Sequence, residues 1–227
     1  MFDINSLCDT DYTMAKNYLR SFQYPWQALR GLKDYSRFLG ESLSECDYYF
    51  PTENVWIHKS AVVAESARIY PPCIIDEDSE VRHCAFIRGS VLIGKGCVIG
   101  NSTEIKNSIL FDKVQVPHYN YVGDSILGYK AHLGAGAIIS NLKSDKSEVS
   151  INFEGKSINT GMRKLGAIIG DKAEIGCGSV LCPGTIVGRN TTVYPLTTIR
   201  GVIKDNCIVK NEHLCVEKEL RNNLREV

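Results

Sequence analysis

The sequence has no excess charge of either sign, because 26 lysine and arginine residues balance 26 aspartate and glutamate residues over 227 positions. This balance argues against proteins that bind nucleic acid or a membrane surface, since both classes usually need a basic excess. No apolar run approaches the length of a membrane-spanning helix, and the opening MFDINSLCDTDYT is too polar for a secretory signal. We therefore expect a cytoplasmic protein.

Closely spaced cysteine pairs are also missing. None of the nine cysteines forms a CxxC motif, and several lie in apolar stretches, as Cys73, Cys97 and Cys207 do. Half-buried small side chains in a reducing compartment explain this pattern better than a disulfide framework or a zinc site. The chain is long enough for one sizeable core but too short for two large domains.

A repeat of six residues dominates the sequence from residue 55 onward. The third place of each six is apolar: Ile57, Val63, Ile69, Ile75, Val81, Ile87, Ile93, Ile99, Ile105 and Phe111. The phase then slips, and the pattern continues with Val122, Leu127, Leu133, Ile139, Ile169, Ile175, Leu181, Val187, Val193 and Ile199. A period of six fits neither a helix nor a two-sided strand, but it fits a solenoid in which the third residue points into a shared core. Glycines that follow many of these positions are expected to let the chain turn each corner.

Three segments depart from the repeat. Residues 1–50 include AKNYLRSF and WQALRGLKDYSRFL, whose apolar spacing predicts one or two short helices covering the open first coil or a partner subunit. Within the repeat domain of residues 51–210, residues 142–166 form a long polar excursion, which is typical of a functional or mobile loop. Residues 211–227 are charged and favour a closing helix.

Arg88 and Lys106 are the first candidate site residues. They are 18 positions apart, and each follows an inward isoleucine, so in a coil of three sixes they would stack about 5 Å apart. Two cations this close repel unless an anion lies between them, which predicts a phosphate-sized site. The alternative is that both side chains splay into solvent.

His118 lies in the stretch KVQVPHYNYVGDS, where the phase slips, three residues before Tyr121. A histidine titrates near neutral pH and can act as a general base, although a lone histidine is more often a packed or surface residue. We interpret the broken repeat as a means of letting His118 leave the coil and face a substrate.

The segments EIKNS, PHYNYVGDSILG and HLGAGAIISN resemble those of the acetyltransferase half of bacterial bifunctional N-acetylglucosamine-1-phosphate enzymes. TGMRKLGAIIGD, at the end of the excursion, is similar to a segment of archaeal-type sugar-1-phosphate nucleotidylyltransferases. The resemblance covers roughly residues 55–210. It implies a mainly β fold, the left-handed parallel β-helix of hexapeptide-repeat acyltransferases, with roughly six to seven coils of three sixes each. It also implies a homotrimer with sites between neighbouring subunits.

The resemblance implies acetyl transfer from acetyl-CoA to the amine of a hexosamine 1-phosphate, such as glucosamine or galactosamine 1-phosphate, without a metal. Arg88 and Lys106, assisted by Lys164, would hold the phosphate, while Tyr121 and Asn141 would position the sugar and His118 would accept the proton. The residues implied near acetyl-CoA are Ala137 and Cys177 at the thioester arm and Lys210 at the phosphates. The product would feed nucleotide-sugar synthesis, as in the route to UDP-N-acetylglucosamine.

Two departures from the family pattern keep other functions open. His132 replaces the family's asparagine, which indicates either an altered sugar contact or a second titratable group. The nucleotidyltransferase half is absent, so that activity is not expected. The acceptor is alternatively another amino sugar or a nucleotide sugar. A non-catalytic trimeric scaffold or a regulatory partner of a separate sugar nucleotidyltransferase is the alternative from another class. A metal-dependent hydratase using His83, His118 and His132 is disfavoured by the PHYNYVGD context.

Overall fold

The computed structural model describes residues 2–211 and 213–218, which form a three-sided β-solenoid. The apolar third residue of each six points inward, and the chain visits faces A, B and C in turn. Face A consists of β1 (Tyr48–Thr52), β2 (Val55–His58), β5 (Cys73–Ile75), β8 (Val91–Ile93), β11 (Ser108–Leu110), β14 (Ile126–Leu127), β19 (Ala167–Ile169), β22 (Thr185–Val187) and β25 (Val202–Ile203).

Faces B and C complete the solenoid. Face B consists of β3 (Val62–Val63), β6 (Glu80–Val81), β9 (Val98–Asn101), β12 (Gln115–His118), β15 (His132–Leu133), β20 (Glu174–Ile175), β23 (Thr192–Val193), β26 (Cys207–Asn211) and β27 (Leu214–Glu217). Face C consists of β4 (Arg68–Ile69), β7 (Phe86–Ile87), β10 (Glu104–Lys106), β13 (Tyr121–Gly123), β16 (Ile138–Ile139), β21 (Val180–Leu181) and β24 (Thr198–Ile199). These seven strands mark seven complete coils of a left-handed parallel β-helix, as the resemblance to hexapeptide-repeat acyltransferases implies.

All departures from the six-residue spacing fall on one corner, where face C passes into face A. Inward residues across the other two corners stay six apart, as Val116 and Val122 do. At the C–A corner, however, Ile105 is followed by Leu110, which pairs with Ile93 and is therefore the inward residue of its coil. The phase thus slips before Phe111, not after it, because the chain shortens this corner by one residue. The excursion of residues 142–166 also leaves from this corner, between β16 and β19.

The glycines directly after inward residues serve close approach between coils, which corrects the turning role predicted from sequence. A Cβ on Gly94 would lie 2.6 Å from the Asp112 carboxylate of the next coil, and one on Gly128 would lie 2.6 Å from that of Asp171. Neither glycine has a positive φ. The corners instead turn at later positions, many of them non-glycine residues in the left-handed region, such as Lys113 with φ 60°.

The N-terminal segment lies along the outside of face A. Its helices are α1 (Ile4–Leu7), α2 (Lys16–Arg20) and α3 (Leu32–Glu41), with 3-10 turns at Thr10–Tyr12 and Pro25–Arg30. The short helices predicted here are confirmed, but they do not close the open first coil. Asn5 O accepts a hydrogen bond from Arg189 near one end of the solenoid, while Gly40 packs on Trp56 at the other. We call residues 2–41 the N-terminal arm.

A second apolar stripe explains this placement of the N-terminal arm. The middle residue of successive face A strands points outward, yet each is at least nine-tenths buried: Trp56, Ile74, Leu92, Ile109, Ile126, Ile168 and Ile186. Such a stripe is visible in the sequence, because every third six-residue repeat has an apolar residue directly before its inward apolar residue, as Trp56 stands before Ile57. Burying it against the arm removes this face from water.

One prediction about the remaining segments needs correction. The sequence favours a helix at the end of the chain, but residues 214–217 form β27, which pairs antiparallel with β26 and covers the edge of face B. The rest of the expected closing helix, residues 219–227, lies outside the described residues. The excursion is a packed β-hairpin, with β17 (Ser150–Phe153) and β18 (Lys156–Asn159) paired. In the described part of the chain, no helix is long and apolar enough to cross a membrane.

Gly100 provides a test of the packing between coils. A Cβ there would lie 1.5 Å from Pro117 O and 1.9 Å from Pro117 C, so Gly100→Ala must displace backbone. We expect it to destabilise the protein by about 3 kcal/mol. Gly136→Ala is the control, since its Cβ would meet nothing within 4 Å and only the positive φ of 69° costs about 1 kcal/mol. Equal losses in thermal denaturation would contradict the clash.

Candidate active site

Asp124 organises a polar cluster at the C–A corner. Its carboxylate is 4 % exposed and accepts hydrogen bonds from Lys106 Nζ at 3.1 Å, from Asn107 Nδ2 at 2.8 Å and from Asn141 Nδ2. Asn107 and Asp124 both occupy the left-handed region, with φ of 46° and 50°. Polar residues with short side chains tolerate this conformation. The corner thus brings side chains from the two adjacent coils to one carboxylate.

Arg88 and Lys106 stack on neighbouring strands as their spacing predicts, because β7 and β10 pair in register. However, neither cation is left without a carboxylate. Arg88 Nη1 donates to Glu104 Oε1 at 2.7 Å, and Lys106 pairs with Asp124. The hydrogen bond to Glu104 raises the pKa of the Arg88 guanidinium further above its ordinary value. The argument that these two cations require an external anion between them is therefore wrong, since the chain itself supplies a counter-charge for each.

Tyr121 and Asn141 are brought together beside this cluster, as predicted. The Tyr121 hydroxyl accepts a hydrogen bond from Asn141 Nδ2 at 3.3 Å. Gly123 makes this possible, because a Cβ there would lie 2.7 Å from both the hydroxyl and Nδ2. Burial raises the pKa of Tyr121, and the carboxylate of Asp124 raises it further. The hydroxyl therefore keeps its proton at neutral pH and can donate it to a bound molecule.

Lys164 joins the same corner from the end of the excursion. It forms an isolated antiparallel bridge with Leu142. The next two backbone N–H groups, of Leu165 and Gly166, donate to Asn141 O at 3.0 Å and Asp124 O at 2.9 Å. Lys164 is exposed and makes no ion pair within the described residues. The backbone of Lys164 thus lies at a corner that carries two cation–carboxylate pairs, Arg88 with Glu104 and Lys106 with Asp124.

His118 lies on a different corner, where face B passes into face C. It is exposed, and its imidazole makes no hydrogen bond with the described part of the protein. Because the spacing from Val116 to Val122 remains six, the repeat is not broken at His118. Our interpretation that the slip frees this side chain is therefore wrong. The width of face C, spanned by β13, separates His118 from Lys106.

His132 lies on face B, away from Asn141. Its Nδ1 is 2.8 Å from Glu174 Oε2 of the following coil. Since an ionised carboxylate only accepts, Nδ1 is the donor of this pair. His83 is bound instead to Ser66 Oγ at 2.6 Å. Over residues 2–211 and 213–218, no three or more His, Cys, Asp or Glu side chains are grouped to hold a metal ion.

The three residues expected near the cofactor differ in access. The Ala137 side chain is fully buried, and its carbonyl accepts a hydrogen bond from Asn120 Nδ2 at 3.2 Å, so this side chain cannot contact a cofactor. Cys177 is exposed on the B–C corner. Lys210, also exposed, lies on β26 at the face C side of face B, in line with Gly134 and Gly176 by strand register. The B–C corner thus carries small residues at 134–136 and 176–178, and exposed Tyr194 takes the place in register between Gly176 and Lys210.

Sequence reasoning missed the carboxylates that orient the candidate residues. Asp124 directly follows Gly123, which pairs with Lys106, so the coil of 17 residues at the shortened corner places Asp124 next to Lys106. Glu104 lies on the strand of Lys106 and one coil above Arg88. Glu174 had no comparable signal, because the excursion separates it from His132 by 42 positions.

Two family models match parts of the chain. The model described as "GMPPB C-terminal domain" matches residues 69–154, and "Bacterial transferase hexapeptide (six repeats)" matches residues 166–201. The first match covers the candidate cluster apart from Lys164, and the second covers the coils that follow the excursion.

Sequence relatives include "Bifunctional protein GlmU" of Methanococcus maripaludis, which is 33% identical over 90% of this chain and 50% of its own length. Another is "Bifunctional sugar-1-phosphate nucleotidylyltransferase/acetyltransferase" of Sulfurisphaera tokodaii, 36% identical over 59% of this chain and 38% of its own. The chain therefore spans about half the length of the GlmU relative and less of the other.

Solved structures with some likeness include a mutant of AntD, an N-acyltransferase from Bacillus cereus, in complex with dTDP and coenzyme A. It is 16% identical, covers 77% of this chain and 92% of its own, and has a TM-score of 0.40. The acetyltransferase domain of PglB from Neisseria gonorrhoeae in complex with acetyl coenzyme A is 18% identical, with shares of 67% and 52% and a TM-score of 0.31.

Proposed function

We propose a function on the premise that this chain carries a hexapeptide-repeat domain of the transferase type, related in sequence to bifunctional sugar-1-phosphate nucleotidylyltransferase/acetyltransferases. The protein transfers an acetyl group from acetyl-CoA to the amine of an amino-sugar phosphate such as glucosamine 1-phosphate or galactosamine 1-phosphate. The observation that carries this proposal is the C–A corner, where Lys106, Tyr121, Asn141 and Lys164 meet although they are far apart in sequence.

The phosphate is assigned to the cationic side of this cluster. Lys106 uses one of its three N–H donors on Asp124, and Arg88 has donors left beyond its bond to Glu104. Lys164 supplies a further positive charge. The sugar hydroxyls then lie against Tyr121, which keeps a proton to donate, and Asn141, whose Oδ1 stays an acceptor while its Nδ2 is used within the cluster.

Acetyl-CoA is assigned to the B–C corner. The small residues at 134–136 and 176–178 leave room beside His118, and Gly136 faces open space. Strand register places Lys210 about four strand spacings, or roughly 19 Å, from His118. At that distance Lys210 would meet the phosphates of an extended cofactor. Cys177 lies along this path, whereas Ala137 contributes only its backbone.

The reaction needs an unprotonated amine and a proton acceptor. His118 accepts the proton from the amine as its nitrogen attacks the thioester carbonyl, and the coenzyme A thiolate leaves and is then protonated. The products are the N-acetylated sugar phosphate and free coenzyme A. No metal is assigned to this step, since the proton that His118 takes from the amine is returned to the coenzyme A thiolate.

A thiol-release assay tests the proposal. Purified protein with acetyl-CoA and a panel of amino-sugar phosphates should release free thiol with at least one hexosamine 1-phosphate and not with the unaminated sugar phosphate. Nucleotide amino sugars belong to the same panel, since a nucleotide sugar is the alternative acceptor. Release with none of them would instead favour a non-catalytic scaffold or a regulatory partner of a separate nucleotidyltransferase. The pairing of Arg88 and Lys106 with carboxylates of the chain itself is consistent with that alternative.

We predict a homotrimer. His118 and the C–A corner lie at opposite edges of face C, and in a trimer the His118 edge of one subunit would lie next to the C–A corner of its neighbour. The N-terminal arm covers face A, so faces B and C are left for subunit contacts. Light scattering should give three times the chain mass of 25.3 kDa at micromolar concentration. A monomer at that concentration would overturn both the assembly and the shared site.

A further inference from the structure

The excursion of residues 142–166 is held in place by the N-terminal arm. Phe153 packs edge-on against Phe2 with ring centroids 5.1 Å apart. Arg30, at the end of the 3-10 turn Pro25–Arg30, donates from Nη2 to Thr160 O at 2.7 Å. A Cβ on Gly161 would lie 2.6 Å from the same Nη2, so Arg30 occupies the space beside this loop residue. The arm therefore touches the excursion at its hairpin and at its returning segment.

Thr160 links this contact to the interior of the excursion. Its hydroxyl donates to Val149 O at 2.6 Å and accepts from Met162 N at 3.2 Å. Val149 N in turn donates to Met162 O at 2.8 Å. The outgoing and returning strands of the excursion are thereby tied together at the residue that Arg30 holds.

From Thr160 the chain runs directly into the candidate site. Four residues later Lys164 bridges to Leu142, and Leu165 and Gly166 bond to the backbone of Asn141 and Asp124. Lys164 is the cation of this corner without an ion pair among the described residues. The position of Lys164 therefore depends on residues 160–166. Arg30 holds this segment at Thr160, and the solenoid holds it at Leu165 and Gly166.

We infer that Arg30 is a positioning residue for the sugar-phosphate site: it fixes residues 160–166 so that Lys164 faces the phosphate, which makes the N-terminal arm part of that site. This inference rests on the proposed function for what the site binds, but its structural half does not. Arg30 lies more than 50 positions from the nearest predicted site residue, so no motif of the site includes it.

Arg30→Gln is the direct test. It should raise the KM for the amino-sugar phosphate about 3- to 10-fold, the range for one lost hydrogen bond, and leave the KM for acetyl-CoA unchanged. Arg30→Lys, which retains a cation and a donor, should restore part of this loss. Arg37→Gln is the matched control, because Arg37 lies on the same arm and its ion pair is an exposed one with Asp34 at 3.9 Å.

A double-variant cycle identifies the route of the effect. If Arg30 acts through Lys164, then Arg30→Gln should add little to Lys164→Gln, whereas additive losses would overturn the inference. Amide hydrogen exchange of residues 160–166 gives a readout independent of activity. It should become faster in Arg30→Gln and stay unchanged in Arg37→Gln.

The outcomes separate the inference from the proposed function. Unchanged exchange in an Arg30→Gln protein of normal melting temperature shows that Arg30 does not position the segment. Faster exchange with an unchanged KM for the sugar phosphate shows that the segment does not serve the site. Should Arg30→Gln fail to fold, Arg30→Lys and Gly161→Ala, which crowds the same contact from the loop side, decide the question by the same two measurements. If the wild type turns over no amino-sugar phosphate, the proposed function fails while the exchange result still decides the positioning role.

Discussion

His118→Ala is expected to lower kcat on the order of 10²- to 10⁴-fold, the usual contribution of a general base. The reason is that an amine must lose its proton to attack a thioester. His118 is exposed beside the small residues to which we assign acetyl-CoA, and its ring has no partner within the described chain that would occupy it. Acetyl-CoA binding and melting temperature should stay close to those of the wild type, because the side chain contributes nothing to the core.

His132→Asn provides the decisive comparison in the same thiol-release assay. His132 is oriented by Glu174, an arrangement that general bases commonly show, and it stands where the family resemblance implies an asparagine. Full turnover in His118→Ala with loss of turnover in His132→Asn would transfer the role of base to His132. Glu174→Gln should then reproduce the loss, since it removes the carboxylate that holds Nδ1–H.

Lys106→Met is expected to raise the KM for the sugar phosphate about 10- to 150-fold, which corresponds to roughly 1.5–3 kcal/mol for one charge-assisted contact. The KM for acetyl-CoA should change much less, because the B–C corner is a strand width away. The variant also leaves the Asp124 carboxylate, whose side chain is 6% exposed, without its cation. Some loss of melting temperature is therefore part of the expected result.

Lys95→Met is the control for removing a lysine that pairs with a carboxylate of the neighbouring coil. Lys95 Nζ also pairs with a carboxylate of the neighbouring coil, Glu77, at 2.9 Å, but it lies on the corner between faces A and B. It should leave both KM values unchanged. Equal increases of both KM values in Lys106→Met would indicate that Lys106 maintains the corner and does not contact the phosphate.

The sequence predicts the solenoid well because its signal is local and repeated. Each inward position needs an apolar residue, and a shift by one place would turn the core residue outward. The same periodicity stacks Arg88 on Lys106, because a regular coil length converts spacing in the chain into position in space. The meeting of Tyr121 and Asn141 is implied by the family resemblance and not by the period, since Tyr121 pairs in register with Ile138.

The failures arise where contacts cross the period. The charged tail favours a helix, but the open edge of β26 offers backbone partners, and residues 214–217 pair with it as a strand. The helical spacing of the N-terminal arm does not reveal which surface the arm covers, so sequence alone places it at the end of the solenoid. The outward stripe that includes Trp56, Ile74 and Leu92 was the missing signal.

The arm's contacts also set an order of events for folding. Cys8 and Asp9 bond to residues 161 and 162 positions away, and Asn5 to one 184 positions away. During synthesis the arm emerges before the coils that hold these partners. Chains shortened before Asp171 cannot complete the docking and leave part of the apolar stripe open to water, a state in which chains associate. Because such distant contacts form slowly, docking of the arm is expected to be a late step in folding, well after the first coils have stacked.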